Sequence, residues 1–265
     1  MAQSSLSSSG SSMKILAIDV GGTHVKVLVT GHHDERKVAS GPTMTAQKMV
    51  KAVKKMTADW PYDVVSMGYP GPVLHGKPVC EPHNLGGGWI HFNFHKAFGK
   101  PVRIINDAAM QALGSYRGGR MLFLGLGTGL GAALIVDGRV EPTELAHLPY
   151  KKRTYEDYVG LKGLKRSGLK KWRRHVAEVA TELKSALEAD DLVIGGGNAK
   201  LLKSDPDGAR IVDNSLAFVG GFRLWADGAE TKKKPSRQAA RPSIERKSYE
   251  SDQAVEPGGP EPLAG

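Results

Sequence analysis

Cysteine is almost absent. Cys80 stands alone in 265 residues, so no disulfide can close within the chain and no cysteine cluster can hold zinc. A reducing, cytoplasmic setting is the expectation. Long apolar runs are missing too: glycines interrupt the apolar segments every few residues, and none approaches the roughly 20 residues that span a bilayer. No membrane association is expected. Residues 1–12 are rich in serine, carry no Lys or Arg, and lack the apolar stretch of a secretory signal, so they read as a disordered leader. Neither Gly-Lys pair, 76–77 or 99–100, is followed by Ser or Thr, because each precedes proline; that excludes a P-loop. The run 125–131 has Leu130 where a dinucleotide fingerprint needs glycine, and a hairpin rather than a helix follows it. A nicotinamide site is therefore not expected.

Glycine and positive charge are abundant instead. The formal net charge is +10, and its location matters more than its size. Residues 151–175 hold ten Lys or Arg against Glu156 and Asp157, a local +8. Residues 229–265 hold seven basic and six acidic residues among Ser, Pro and Gly. That segment cannot bury enough apolar surface to offset its ordering entropy, and it is expected to be a disordered tail.

Lys14-Ile-Leu-Ala-Ile-Asp-Val20, Gly21-Gly22-Thr23 and Val25-Lys-Val-Leu-Val29 read as strand, tight turn, strand. The pattern returns about a hundred residues later in 121–124, 125–131 and 132–136, which suggests two related lobes. Between them a helix is expected within 45–60, with Met49, Val50, Val53 and Met56 on one face, then a strand at 63–67 leading into Gly68-Tyr-Pro-Gly-Pro72. Pro101–Ile105 reads as a buried strand, with Asn106 and Asp107 at the start of a helix. Trp172, Val176, Val179, Leu183 and Leu187 form one stripe of a long helix that runs into the strand 191–194 and Gly195-Gly-Gly197. Such alternation implies an α/β fold with its site at the carboxyl ends of strands.

A glycine turn after a strand lets backbone N–H groups converge on an anion, since no Cβ blocks the approach. One such turn is usually only a turn. Three of them, with Thr23 and Thr128 supplying hydroxyls, favour phosphate binding.

Asp19-Val-Gly-Gly-Thr23, Gly68-Tyr-Pro-Gly-Pro72, Asn84-Leu85 with Trp89, Asn106-Asp107-Ala108, Leu126-Gly-Thr-Gly-Leu-Gly131, Glu144-Leu-Ala-His147 and Gly195-Gly-Gly197 occur in the order typical of ROK-family sugar kinases. Over roughly residues 13–225 the chain resembles a ROK glucokinase, including the polyphosphate-using branch. The resemblance implies two ribonuclease-H-like lobes of the actin and hexokinase type, divided as 13–108 and 109–228. It implies transfer of a phosphoryl group from ATP, polyphosphate or both to the 6-hydroxyl of glucose, with mannose as the alternative acceptor. Asp107 would be the catalytic base, although a helix cap is the plainer reading of an Asp there. Asn84, Asn106, Glu144, His147 and Glu156 would bind the sugar. Asp19 would organise magnesium and the donor phosphates beside Gly21, Gly22, Thr23 and Lys26, with Gly127, Thr128, Gly129, Gly196 and Gly197 on the second lobe. The family also implies a homodimer.

Two departures stand out: Ala146 replaces the family's glycine in Glu-x-Gly-His, and the cysteines that bind zinc in many relatives are missing. A zinc-free site is expected. The basic run, with Lys165, Arg166, Lys170 and Lys171 at its centre, is read either as a solvated helix face or as a polyphosphate track. No helix-turn-helix or aromatic-interleaved motif supports nucleic acid as the partner. A sugar-sensing regulator of the same family is the competing reading, but relatives of that kind carry a DNA-binding domain ahead of the first strand.

Overall fold

The computed structural model describes residues 12–141 and 143–226, all within one compact unit. The expected tail, and the expected leader except Ser12, lie outside the described residues.

The first sheet comprises β1 (Ile15–Val20), β2 (His24–Val29), β3 (Arg36–Ala39), β4 (Val64–Tyr69) and β7 (Val102–Asn106), in the order β3-β2-β1-β4-β7. β1 and β4 are buried almost throughout, as central strands with parallel neighbours must be. Helix α1 (Ala46–Met56) buries Ala46, Met49, Val50 and Val53 against this sheet, and the Thr45 side chain caps it by accepting from the Lys48 N–H. It ends four residues short of Trp60, at a Thr57 cap. A small hairpin of β5 (Val73–Leu74) and β6 (Lys77–Pro78) and the short helix α2 (Phe94–Phe98) complete this lobe.

The second sheet repeats the plan. It contains β8 (Arg120–Leu126), β9 (Leu130–Val136), β10 (Arg139–Glu141), β13 (Asp191–Gly195) and β14 (Arg210–Ile211), in the order β10-β9-β8-β13-β14. Each sheet is thus an antiparallel meander extended by two parallel strands, the topology the repeated hairpins foreshadowed. Between β10 and β13 come the hairpin of β11 (Pro149–Tyr150) and β12 (Arg153–Thr154), helix α4 (Tyr155–Val159) and helix α5 (Leu161–Ala186). The stripe on α5 is as expected, with Trp172, Val176, Val179 and Leu183 buried on the second sheet. The helix is not continuous, however: Gly168 adopts φ +74° and bends it.

Two helices are exchanged between the lobes. α3 (Asp107–Ser115) leaves the first sheet directly after β7, yet Ala108, Ala109, Ala112 and Leu113 pack on Met121, Phe123, Ala133 and Ile135 of the second. α6 (Leu216–Ala226) follows the second sheet, yet Gly221 lies against Ala17 and Ser66 of the first, and Trp225 Nε1 donates to Ser66 Oγ at 3.0 Å. The two helices meet through Gly114 and Gly220. A Cβ on Gly114 would collide with the Leu216 carbonyl and one on Gly220 with the Met110 carbonyl, so only glycine permits the approach. The division at 108/109 remains a proposal, with α6 lying across it.

Candidate active site

Three glycine turns supply free backbone donors. In the turn from β1 to β2, Gly21 N–H donates to the His24 carbonyl at 3.0 Å, while the N–H groups of Gly22 and Thr23 meet no acceptor among the described residues. Asn84 sits over this turn: a Cβ on Gly22 would come within 3.2 Å of the Asn84 Cβ. In the turn from β8 to β9, Gly127 N–H bonds the Gly129 carbonyl at 3.1 Å, leaving the Thr128 and Gly129 N–H groups free. The Asn198 side chain holds the Gly127 carbonyl at 2.9 Å, and the first N–H of α5, on Leu161, holds that of Thr128 at 3.1 Å. After β13, Gly196 takes φ +87° and donates to Asn214 Oδ1 at 3.2 Å, while the exposed Gly197 keeps a free N–H. Together these turns offer five donors suited to phosphate oxygens.

Two carboxylates stand at the strand ends. Asp19 is the penultimate residue of β1, in register with Lys26 on one side and Gly68 on the other. Asp107 opens α3, and the structure separates it from the capping role that its position allowed. Asn106 is the N-cap: its Oδ1 accepts from the Ala109 N–H at 3.1 Å, and its Nδ2 donates to the Gly71 carbonyl at 3.1 Å. Asp107 Oδ1 accepts from the neighbouring Ala108 N–H, at 2.8 Å. Gly68 lets this first turn of α3 lie close to β4, since a Cβ there would stand 2.6 Å from Met110 Cε and 3.4 Å from the Asp107 Cα.

Burial pushes the Asp19 carboxyl up to about 6, partly opposed by Lys26. Burial, then the Asp19 charge, pushes Asp107 up to about 7, which places a base near neutrality. Lys26 is shared, pairing with Glu35 at 3.1 Å while its field reaches Asp19 and Asp213.

Residues 15–143 match the model of the ROK family. These residues belong to the ROK family. The chain is 28% identical over 202 residues to the polyphosphate glucokinase of Mycobacterium tuberculosis strain H37Rv, an alignment covering 68% of this chain and 76% of that relative. Its fold matches the inorganic polyphosphate/ATP-glucomannokinase of Arthrobacter sp. strain KM with a TM-score of 0.68 at 23% identity, over 81% of this chain and 98% of that one. It also matches a ROK family glucokinase from Streptomyces griseus, solved with glucose and AMPPNP, with a TM-score of 0.64 at 18% identity, over 80% of this chain and 98% of that one. The fold is therefore the two-lobed one of the ROK sugar kinases.

Within this ROK framework the proposed sugar residues of the second lobe fall into two groups, while Asn84 and Asn106 stand at the first lobe's turns. Glu156, on α4, accepts from the Leu130 N–H at 3.0 Å and lies directly against Gly129, where a Cβ would strike its carboxylate. Its own N–H donates to the Ala146 carbonyl at 3.0 Å, so Glu156 joins the 144–147 segment to the phosphate loop. Glu144 and His147 are exposed, with Glu144 Oε1 accepting from the Ala146 N–H at 3.3 Å. No hydrogen bond or ion pair among the described residues links either of them to Asp107. Ala146 is buried in the second lobe's core, so the methyl group that departs from the ROK pattern fills apolar space and leaves the loop's hydrogen bonds in place.

The basic run is mixed. Lys151 and Arg174 pair with Glu178, Arg173 donates to the Leu201 carbonyl, and Arg166 bonds the Asp157 carbonyl and covers the Tyr158 ring. Lys165, Lys170 and Lys171 are exposed with no partner among the described residues. Asn198, Asn214, Gln111 and Glu35 were not singled out from the sequence, since isolated amides and acids carry no periodic signal.

Proposed function

We propose that the chain is a sugar kinase that transfers the terminal phosphoryl group of ATP, inorganic polyphosphate or both to the 6-hydroxyl of glucose, with mannose as a second acceptor. The observation that carries this reading is the pairing of a carboxylate raised to about 7 with free N–H groups on glycine turns of both lobes. Asp107 accepts the proton of the 6-hydroxyl as that oxygen bonds to phosphorus, and the bridging P–O bond breaks to release ADP or a polyphosphate one unit shorter. Such transfers need positioning and charge stabilisation more than covalent help. Gly22, Thr23, Thr128 and Gly129 hold phosphate oxygens, and Glu156 orients the sugar from its place beside the loop.

The residues fit magnesium. Asp19 and Asp107 disfavour each other's ionisation, and a hard cation shared with phosphate oxygens relieves that conflict. Among the described residues no group of three or more His, Cys, Asp and Glu gathers, so one carboxylate, Asp19, and the donor phosphates would hold the ion. When bound, it supplies charge neutralisation at the transferring group.

Polyphosphate use is supported by α5. Its first N–H bonds the Thr128 carbonyl, and the unpaired Lys165 lies four residues further on, about 6 Å along the helix. A coupled assay for sugar 6-phosphate with glucose or mannose and each donor tests the proposal. Turnover with at least one pairing is expected; no product with either donor overturns it.

A further inference from the structure

Gln111 is a buried amide on the helix that carries Asp107, one turn further along, among Ala108, Ala112 and Leu113. A residue there could satisfy the packing with hydrocarbon alone. Instead its Nε2 donates to Asn214 Oδ1 at 2.9 Å and to the Asp213 carbonyl at 3.3 Å. The same Asn214 oxygen accepts the Gly196 N–H at 3.2 Å. Gly195 is fitted to the amide as well, since a Cβ there would stand 2.9 Å from Nε2.

The connection continues beyond the turn. Asn198 donates from its N–H to the Leu126 carbonyl and from its side chain to the Gly127 carbonyl, both at 2.9 Å. One chain of directional bonds therefore runs from the helix of the base, through Gln111, Asn214 and the Gly195–Gly197 turn, to the phosphate loop. α3 is already seated by its apolar face and by the Gly114 contact with α6, so the amide contributes orientation more than stability.

We propose that Gln111 is a positioning residue that, through Asn214, fixes the Gly195–Gly197 turn and the 127–129 loop at a set offset from the Asp107 carboxylate, keeping donor phosphate and base aligned. This rests on the kinase reading above. Loss of the tie acts chiefly on the donor and on the chemical step, because Glu156 is held from its other side by its own N–H on the Ala146 carbonyl, and among the described residues Glu144 and His147 take no bond from the 127–129 loop.

The test compares the full chain with Gln111→Leu, Asn214→Ala and the double variant. Binding of tripolyphosphate, AMPPNP and glucose is measured by calorimetry with magnesium, alongside kcat, donor KM and melting temperature. About tenfold weaker binding of at least one donor analogue and a kcat lowered by about tenfold or more are expected, with glucose affinity within twofold. The double variant should be no worse than the poorer single, because both remove one tie. Asn214 is exposed, so Asn214→Ala gives the answer if Gln111→Leu fails to fold. Unchanged donor binding and kcat in a wild type that turns over would overturn the tie alone, as would donor and glucose affinities falling together with the melting temperature. A wild type that binds neither donor analogue would overturn the kinase reading and the tie with it. Binding without turnover would sink only the kinase reading, leaving the tie to stand or fall on the binding data.

Discussion

Replacing Asp107 by Asn should remove activity and raise stability together. The carboxyl sits at about 7 in the fold against 3.8 when unperturbed, a difference of about three units. At about 1.36 kcal/mol per unit, the folded state carries about 4 kcal/mol against ionisation. The side chain keeps partial exposure, and its charge at the first position of α3 gains about 0.3–1 kcal/mol from the helix dipole, so about 2 kcal/mol is the net figure expected. The sign follows from proton binding: a raised folded value means that the folded state holds the proton more tightly than the unfolded chain. Wild-type stability therefore falls as pH rises from about 4 to about 7 and bears the full penalty at pH 8. Thermal melts without magnesium should place Asp107→Asn about 4–8 °C above wild type at pH 8, with the gap closing by pH 4. In the same preparation kcat should drop by about 10² to 10⁴ while glucose still binds. Wild-type kcat/KM should rise with pH through about 7. A melting difference that does not depend on pH, or a variant with normal kcat, would refute the reasoning.

Two further outcomes follow from packing and charge. Gly220→Ala forces a methyl group into the Met110 carbonyl, and because backbone cannot swing aside the cost should reach about 3 kcal/mol, read as a lowered midpoint in urea; an unchanged midpoint would mean that α3 and α6 do not pack this closely. Neutralising Lys165, Arg166, Lys170 and Lys171 together should raise KM for polyphosphate about tenfold or more, flatten its salt dependence and leave KM for ATP within about twofold; equal effects on both donors would defeat the track.

Elements whose burial repeats along the chain were legible. The two hairpins, α1 and the stripe on α5 are periodic in apolar residues, and their glycines mark the turns. α6 was not read as a helix, because Leu216–Ala226 is apolar apart from Arg223 and contains two glycines, which local propensity disfavours. Its form comes from being held between α3 and the first sheet, a tertiary condition with no local signature. The bend at Gly168 was hidden for the opposite reason, since the stripe that marks α5 begins only at Trp172. At the candidate site, Asn106-Asp107 left cap and base open. The fold divides the roles between the two residues, and the charged capping reading of Asp107 gives way to an amide cap beside it. The amides that connect the turns were silent, because hydrogen bonds between positions about a hundred residues apart depend on which loops meet.

The exchange of α3 and α6 bears on how the molecule comes apart. Each sheet's inner surface is roofed by a helix that the chain places after the other sheet, so a cut just after Ser115 would leave both halves with a bare apolar wall. The two look-alike halves are thus not independent folding units. Denaturation should proceed as a single event, with fluorescence of Trp89 and Trp172, one in each core, reporting the same midpoint.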